Sequence, residues 1–444
     1  MPNLLEGTNY PLTRLSRDYN LMNSLYRGSW IIRKVIDSIP EDALKNWYEL
    51  NSQITPEAID QFKKVEKRTK TKAKILEAWK WGRLYGGAAA VMMIEGHEDM
   101  LSEPLDLDSV MPDSYKGLLV LDRWSGITPS GEYIEDINDP DFGLPQHYQI
   151  TTRFNSAYNI HSSRVLRFIG RDLPYWEKQA EIMWGMSEVE VVFDELKKRD
   201  NTSWNIAHLI FLANIRVLKQ AQLAQMLSTG NSAVQQKLFD TLSAQNQIMS
   251  NMGMLVLNKD DDYEQHQISA FTGLSDVLNT FMLDMCGATE IPATRLFGRS
   301  PAGLNSTGDS DDRNYIDSLE KKRTSQVDPQ IEKLLPVMAM STWGQVPDDL
   351  DITWAPIMTV TADKLAELAK GKAESIVSVY NSGLISQKIG MQELKQQADE
   401  TNMFSNITDE DIAAADAEVK TKGELPGLLP GFGAGPDKPE ESIK

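Results

Sequence analysis

Residues 286–305 read Cys-Gly-Ala-Thr-Glu-Ile-Pro-Ala-Thr-Arg-Leu-Phe-Gly-Arg-Ser-Pro-Ala-Gly-Leu-Asn and separate two helical patterns. The apolar stripe before them predicts a helix that ends near Gly287. After them, Asp309, Asp311 and Asp312 are typical of a helix N-terminus, where negative charge is favourable. Prolines fix backbone angles within the segment and glycines permit unusual ones. We therefore predict a shaped but flexible loop between two helices.

On both sides of this loop, the spacing of apolar residues predicts that most of the chain is helical. Pro40 is expected to end the first helix, and Pro329 to kink or restart a later one. Ser187 and Glu190 form the pattern of a capping box, and Gly383 is a candidate left-handed helix end. The predicted helices are 25–39, 56–90, 184–212, 273–288, 310–335, 362–381 and 388–399.

Short strands are predicted chiefly between residues 118 and 168, where Gly, Pro, Asn and Asp punctuate runs of strand length. The small residues 86–90 should either let another backbone approach closely or end the helix and begin a strand at 91–94. The fold class expected from these patterns is α+β, mainly helical. The predicted strands are 91–94, 118–121, 147–151, 164–168, 254–257 and 350–354.

Charge and cysteine content exclude several classes of function. The chain has 444 residues, with 45 Lys and Arg against 64 Asp and Glu, so its net charge is −19. Such a surface disfavours adhesive DNA binding, because affinity for phosphates grows with the number of cations presented. Cys286 is the only cysteine, which excludes an intramolecular disulfide and any multi-cysteine metal site.

Motifs for catalysis are missing from the sequence. The five histidines are all more than four residues apart, and no phosphate-binding Gly-rich loop or Gly-x-Ser-x-Gly elbow occurs. We therefore predict no catalytic, cofactor or metal site and no enzyme. The signals of a targeting segment or a membrane span are also missing, so a soluble protein is expected.

A basic stretch in the helix at 56–90 is the clearest charged feature. Its lysines are predicted to form a surface that contacts nucleic acid or an acidic partner, and a solvated helix face is the alternative interpretation. The lysines selected are Lys63, Lys67, Lys70 and Lys74.

Three passages, taken in order, carry a resemblance to a known family. The first is Pro145–Ile150 followed by Ile160–Gly170, which includes an Ile-His-Ser-Ser-Arg turn. The second is Trp184-Gly-Met-Ser-Glu188 at the start of a long helix, and the third is residues 286–305. Together they resemble the portal proteins of tailed bacteriophages, which connect head and tail at one capsid vertex. The resemblance covers roughly residues 25–403.

The resemblance implies a portal architecture assembled as a ring around a central channel. The implied regions are a wing at 1–183, stem helices at 184–212 and 273–288, a clip at 213–272, a tunnel loop at 289–309, a kinked helix and wing return strand at 310–360, crown helices at 361–419 and a disordered tail at 420–444.

The resemblance also implies partners and channel-facing residues. It implies a homo-oligomeric ring, twelve subunits in the family, that passes double-stranded DNA. It further implies docking to the terminase motor, to major capsid and scaffold proteins and to a head-completion or adaptor protein, with a location in the virion after assembly in the host cytoplasm. The residues expected to face DNA are Thr289, Ile291, Pro292, Arg295, Leu296, Phe297, Arg299, Leu304 and Asn305. Deletion of residues 295–300 is expected to leave rings that package or retain DNA poorly.

Two other classes stay open at this point. One is a phosphodiesterase-like enzyme, with or without a metal, whose site lies around His161 and Arg164. The other is a capsid-associated adaptor that forms no ring. For Arg295 and Arg299, the alternative to touching DNA is pairing with Glu290 or Asp309 of a neighbouring subunit.

Overall fold

The computed structural model describes residues 13–151, 157–212, 214–219, 232–252, 262–267, 273–298, 308–357 and 362–396, with a few positions between 406 and 415. The chain divides into two compact units, Met1–Ile357 and Met358–Lys444. The predicted strand at 254–257 and the predicted disordered tail at 420–444 lie outside the described residues.

Helices make up most of the described chain, in agreement with the predicted α+β class. Their bounds are α1 Tyr19–Gly28, α2 Trp30–Ala43, α3 Pro56–Thr69, α4 Thr71–Tyr85, α5 Tyr175–Ala180, α6 Glu188–Leu212, α7 Ser232–Met252, α8 Leu274–Thr289, α9 Ala293–Phe297, α10 Gly308–Gln326, α11 Asp328–Trp343, α12 Ala362–Asn381 and α13 Gln387–Gln396.

Ten described strands form four small antiparallel sheets, with orders β1-β10, β3-β2-β7, β4-β5-β6 and β8-β9. Their bounds are β1 Tyr48–Asn51, β2 Gly87–Ile94, β3 Tyr115–Asp122, β4 Ile127–Pro129, β5 His147–Thr151, β6 Ala157–His161, β7 Val165–Ile169, β8 Asn214–Lys219, β9 Asp262–Gln267 and β10 Asp351–Trp354.

The first predicted helix was placed wrongly at both ends. The chain breaks at Ser29 between α1 and α2, and α2 continues through Pro40 to Ala43. Proline leaves the carbonyl four residues earlier without its helical donor. Here the buried guanidinium of Arg83 donates to Ile36 O at 3.3 Å and to Val35 O at 2.9 Å. A side chain from α4 thus supplies donors beside the turn in which Pro40 sits.

The predicted helix at 56–90 is two helices and the start of a strand. Lys70, with φ 54°, adopts the left-handed conformation between α3 and α4. The Lys70 N–H donates to Glu66 O and Lys67 O at this helix end, and the Thr69 hydroxyl donates to Val65 O at 2.9 Å. The small residues from Gly87 onward form β2, the central strand of its sheet, and are fully buried.

Two other helix predictions are confirmed. Pro329 lies in the first turn of α11, and the helical pattern restarts at Val327 after α10 ends. In the second unit, Gly383 has φ 75° and follows α12, as a left-handed helix end requires.

One continuous core organises the first unit. It joins α2, α4, the sheet of β2, β3 and β7, the start of α6, the end of α8, and α9 to α11. β7 has β2 as its only strand neighbour in the described chain, so its other edge needs partners. α11 provides them: Gln330 Oε1 accepts from the Arg167 backbone N–H at 2.8 Å, and Lys333 Nζ donates to Val165 O at 3.1 Å.

Candidate functional site

Three glycines meet where the α/β core passes into α6, and we call this group the joint: Gly86, Gly170 and Gly185. The backbone N–H groups of Gly170 and Gly185 both donate to Gly86 O at 3.0 Å. A Cβ on Gly170 would lie 2.1 Å from Met186 O, and one on Gly185 would lie 2.5 Å from Arg171 O. The predicted close backbone approach at residues 86–90 is therefore confirmed at Gly86.

A buried ion cluster lies directly beside the joint. Glu188, the first residue of α6, accepts from Arg83 Nη1 at 3.2 Å and from Arg171 Nε at 2.9 Å. Arg171 also donates to Ala288 O at 3.1 Å, in the last turn of α8. The cluster thus ties the start of α6 to the end of α8 and both to the core.

The electrostatics of Glu188 follow from these contacts. Its side chain is 7% exposed, and burial by itself would raise its pKa. Arg83 and Arg171 outweigh burial and hold the pKa of Glu188 below its ordinary value. The carboxylate is consequently charged at neutral pH and is the counter-charge of the buried Arg83, while Arg171 is 31% exposed.

The predicted capping box at Ser187 is only partly formed. Ser187 Oγ accepts from the Val189 N–H at 3.1 Å, as a cap should, and donates to Leu84 O. Glu190 does not close the box, because its carboxylate accepts from the backbone N–H and the hydroxyl of Ser16. The pattern was therefore correct for the helix start and wrong for the partner of Glu190.

The segment after α8 is packed into the core rather than projecting as a loop. Thr289, Ile291 and Leu296 are at most 3% exposed, and Ala293–Phe297 forms the short helix α9. Buried side chains cannot contact DNA, so the prediction for these three residues is corrected. The cause is tertiary: α9 lies on α2, where Phe297 meets the ring of Trp30 edge-on at 6.0 Å, and Pro292 is half-buried just before it.

Arg295 anchors this short helix within its own chain. Its Nε and Nη2 donate to the two oxygens of Asp42 at 2.7 and 2.9 Å, and Tyr315 donates to the same carboxylate at 2.9 Å. The hydrogen bond from Arg295 to Asp42 raises the pKa of Arg295. We call Arg295, Asp42 and Tyr315 the latch.

Two of the groups that were predicted to pair between subunits have partners within this chain. Arg295 pairs with Asp42, and Glu290 pairs with Lys322 at 2.7 Å. Pairing of Arg295 or Arg299 with a neighbouring subunit stays a prediction. Arg299, Leu304, Asn305 and the backbone of 299–307 lie outside the described residues. Deleting 295–300 would remove Leu296 and the latch together, so that deletion would not test the loop alone.

Only part of the basic stretch lies on the surface of the protein. Lys63, Lys67 and Lys70 are exposed, and no ion pair to them is found among the described residues. Lys74 is half-buried and pairs with Glu77 at 2.9 Å. Arg83, which reads as part of the same stretch, is buried in the ion cluster.

The two residues proposed as the site of the enzyme alternative, Arg164 and His161, form hydrogen bonds within the protein. Arg164 is 2% exposed and donates to His97 Nδ1 at 3.0 Å and to Glu103 O at 3.2 Å. His161 Nδ1 accepts from the Ser163 N–H at 3.1 Å, and burial lowers the pKa of His161. No group of metal-ligating side chains occurs among the described residues, and burial raises the pKa of Cys286 to about 11.

Sequence reasoning missed five residues of the ion cluster and the latch: Arg83, Arg171, Glu188, Asp42 and Tyr315. Arg83 read as a surface cation because its neighbours on α4 are basic. Asp42 and Tyr315 are far from residue 295 in sequence, and no local pattern links them. Only Glu188 had a signal, since it ends the Trp-Gly-Met-Ser-Glu passage at the start of a long helix.

Relatives of known sequence share most of this chain. A protein of Haemophilus influenzae that carries no functional name is 29% identical over 412 residues, which is 93% of this chain and 89% of that protein. A Caulobacter protein named Anti-CBASS protein Acb1 is 32% identical over 364 residues, and a protein of the same name from Sphingomonas paeninsulae is 28% identical over 379 residues. The chain spans only 57% and 58% of the length of these two proteins.

Solved structures share the fold. The neck of a native gene transfer agent particle, computed with C12 symmetry, contains a chain that matches with a TM-score of 0.52 at 14% identity. The neck of an empty particle, computed with C6 symmetry, matches with a TM-score of 0.53 at 14% identity. Both matches cover 88% of this chain and 96% of the neck chain.

Among the described helices, none has the length and apolar character needed to cross a membrane. The family model described as phage portal protein matches residues 21–378, which include the joint, the ion cluster and the latch. The chain belongs to the phage portal protein family.

Proposed function

We propose that this protein forms the portal ring at one vertex of a phage capsid, and that the genome is packaged and ejected through the ring. The single observation that carries the proposal is the family match across residues 21–378. The fold shared with particle necks supports it, and twelve subunits is the number we propose from the C12 neck. The proposed location is the portal vertex of the virion, after assembly in the host cytoplasm.

The regions of a portal can be assigned to the described elements. We place the wing in residues 1–183, the stem in α6 and α8, and the clip in 213–272, which includes the β8–β9 ribbon. The tunnel loop follows α9, the kinked helix corresponds to α10 and α11, and the crown to α12 and α13. The terminase motor, and later a head-completion protein, would dock at the clip.

The latch fixes the position of the residues that precede the proposed tunnel loop. Arg295 binds Asp42, Leu296 is buried, and Gly298, with φ 71°, ends α9 just before the proposed loop. Of the residues expected to face DNA, Arg299, Leu304 and Asn305 remain our candidates. Because the chain has a net charge of −19, we expect the wall of the channel to present few cations. A wall with few cations would bind the phosphates weakly, so the DNA could slide through the ring.

Ring formation is the direct test of this proposal. We expect native mass spectrometry to show a species of about 600 kDa, twelve times the 49.9 kDa of the chain. The physical reason is exposed apolar surface on α6 and α8, where Trp204 is 77% exposed and Val277 and Leu283 are more than 40% exposed. A chain that stays near 50 kDa at micromolar concentration would refute the proposal.

A pair of variants locates the contact within the ring. Trp204→Asp should shift the mass toward the single chain, because a carboxylate at an apolar contact is desolvated without a partner. Met111→Asp changes a residue that is 68% exposed but lies between β2 and β3, away from α6 and α8, and should leave the ring intact.

The unpaired lysines of α3 and its end are proposed to meet an acidic part of the capsid shell or scaffold. Reversal of Lys63, Lys67 and Lys70 to Glu should leave the ring mass unchanged and reduce incorporation of the portal into heads, which is measured by the portal content of purified heads. Replacement of the same residues by Arg keeps the charge and should preserve incorporation. Normal incorporation of the Glu variant would contradict this contact.

The enzyme alternative has one observation in its favour, the name that the Caulobacter and Sphingomonas relatives carry. Those proteins are much longer than the part that matches this chain. We propose a structural role for the matched part, because His161 and Arg164 are held by internal hydrogen bonds. Hydrolysis of bis(p-nitrophenyl) phosphate that is lost in His161→Ala would favour the enzyme.

A further inference from the structure

A small cavity lies between the edge of β7, the first turns of α11 and the loop that connects β4 to β5. Its volume is about 260 Å³, just below the range of about 300–1,000 Å³ typical of small-molecule sites. Arg167 and Lys333 line it from opposite elements, β7 and α11. Asp141 is the single carboxylate among its lining residues.

The two cations of this cavity lack a carboxylate partner. Lys333 Nζ is held by two carbonyl oxygens, Ser162 O at 2.7 Å and Val165 O at 3.1 Å. The guanidinium of Arg167 donates to Met183 O and lies over the ring of Trp184, while its buried Nε has no partner among the described residues. Asp141 forms no ion pair with either cation within 4.0 Å in the described chain.

The two charges are close enough to affect each other. Burial lowers the pKa of Lys333, Asp141 opposes that change, and the charge of Arg167 lowers the pKa further. Buried charges are normally paired, because desolvation without a counter-ion is costly. Two neighbouring cations in a chain of net charge −19 are therefore a feature that a bound anion would explain.

Neutral donors complete the lining. Gln330 Oε1 accepts from the Arg167 N–H and Gln326 Oε1 accepts from Trp79 Nε1, so both amide groups keep their NH₂ ends as donors. Tyr148 also lines the cavity. Two cations, two amide groups and one tyrosine thus accompany a single carboxylate, Asp141, in this lining.

We propose that this cavity is a binding site for a small oxyanion, either a phosphate or a carboxylate group. Arg167 would donate to the anion through the guanidinium N–H groups that do not bind Met183 O. Lys333 would act as a point charge, and the two glutamine amides and Tyr148 would donate to the remaining oxygens. None of the lining residues belongs to α6, α8 or residues 299–305.

Calorimetric titration of the full-length protein with inorganic phosphate tests the site. We expect saturable binding of one phosphate per chain. Lys333→Met and Arg167→Met should each weaken it roughly tenfold or more, because a hydrogen bond to a charged group is worth about 1.5–3 kcal/mol. A parallel titration with acetate distinguishes the tetrahedral from the planar anion, and the tighter ligand identifies the class.

Two further variants, each of which removes one negative charge, test the site even if the variants of Lys333 and Arg167 fold poorly. Asp141→Asn removes the carboxylate that competes with the anion inside the cavity and should tighten binding. Asp139→Asn removes an equal charge from a residue that lines only the adjoining outer cleft, so its effect should be much smaller. The proposal is overturned if the wild-type protein shows no saturable binding of either anion at millimolar concentration, or if the two Asn variants bind equally.

Discussion

The Glu188→Ala variant is expected to lose about 3–5 kcal/mol of unfolding free energy, because removing one member of a buried ion cluster leaves the others uncompensated. In this protein the guanidinium group of Arg83, which is 2% exposed, would remain buried without its carboxylate, and Arg171 would lose its partner at 2.9 Å. The loss is measured by urea denaturation at a fixed protein concentration. It should also loosen the attachment of α6 and α8 to the core.

The same cluster predicts a pH dependence whose sign follows from the pKa of Glu188. Because that pKa is lower in the folded protein, the stabilisation is complete above the ordinary value of 4.5 and is lost as the pH falls through the folded pKa. The difference in unfolding free energy between the wild-type protein and Glu188→Gln should therefore be constant at neutral pH and shrink below pH 4.5.

Asp194→Ala is the matched control for Glu188. Asp194 lies on the same helix and pairs with Lys197 at 3.4 Å, but its side chain is 82% exposed. Exposed pairs contribute about 0–1 kcal/mol, so this variant should be close to the wild-type protein at every pH. A Glu188→Ala variant that is equally close, or a difference that persists unchanged in acid, would contradict the assigned role of the cluster.

Deletion of Pro301–Asn305 is expected to have the largest functional effect. This deletion keeps Arg295, Leu296 and the latch, so rings should assemble with an unchanged number of subunits. If the segment lines the channel, its removal widens the narrowest part, and most of the packaged DNA should fail to be retained. The measurement is nuclease-protected DNA per head after packaging in vitro.

A deletion of equal length elsewhere provides the control. Residues 136–140 form an exposed turn between β4 and β5 and lie outside the latch, and their removal should leave packaging normal. Normal retention of DNA by the 301–305 deletion would end the assignment of a tunnel loop to this segment. Retention lost equally in both deletions would show a general defect instead.

Local signals in the sequence were enough to predict the class of the fold. Periodicity located α6, α8, α12 and the restart near Pro329, because apolar spacing and proline chemistry act over a few residues. The run of small residues at 86–90 predicted a close backbone approach, since the missing side chains are visible in the sequence itself. The passages at 145–170, 184–188 and 286–305 also indicated the family, and the family match over residues 21–378 confirmed it.

The candidate site depended on contacts that no local pattern contains. Pro40 should have ended a helix, but Arg83, 43 positions later, supplies donors to carbonyls of the turn before it. The segment 289–297 read as a flexible loop, but the core of α2 and the carboxylate of Asp42, 253 positions away, hold it as a packed helix. Sequence alone determined the fold class, the position of the long helices such as α6, α8 and α12, and which residues are small or charged, because those properties are local. Only the tertiary structure decided which charges are buried and paired, because burial depends on the segments that fold against each residue.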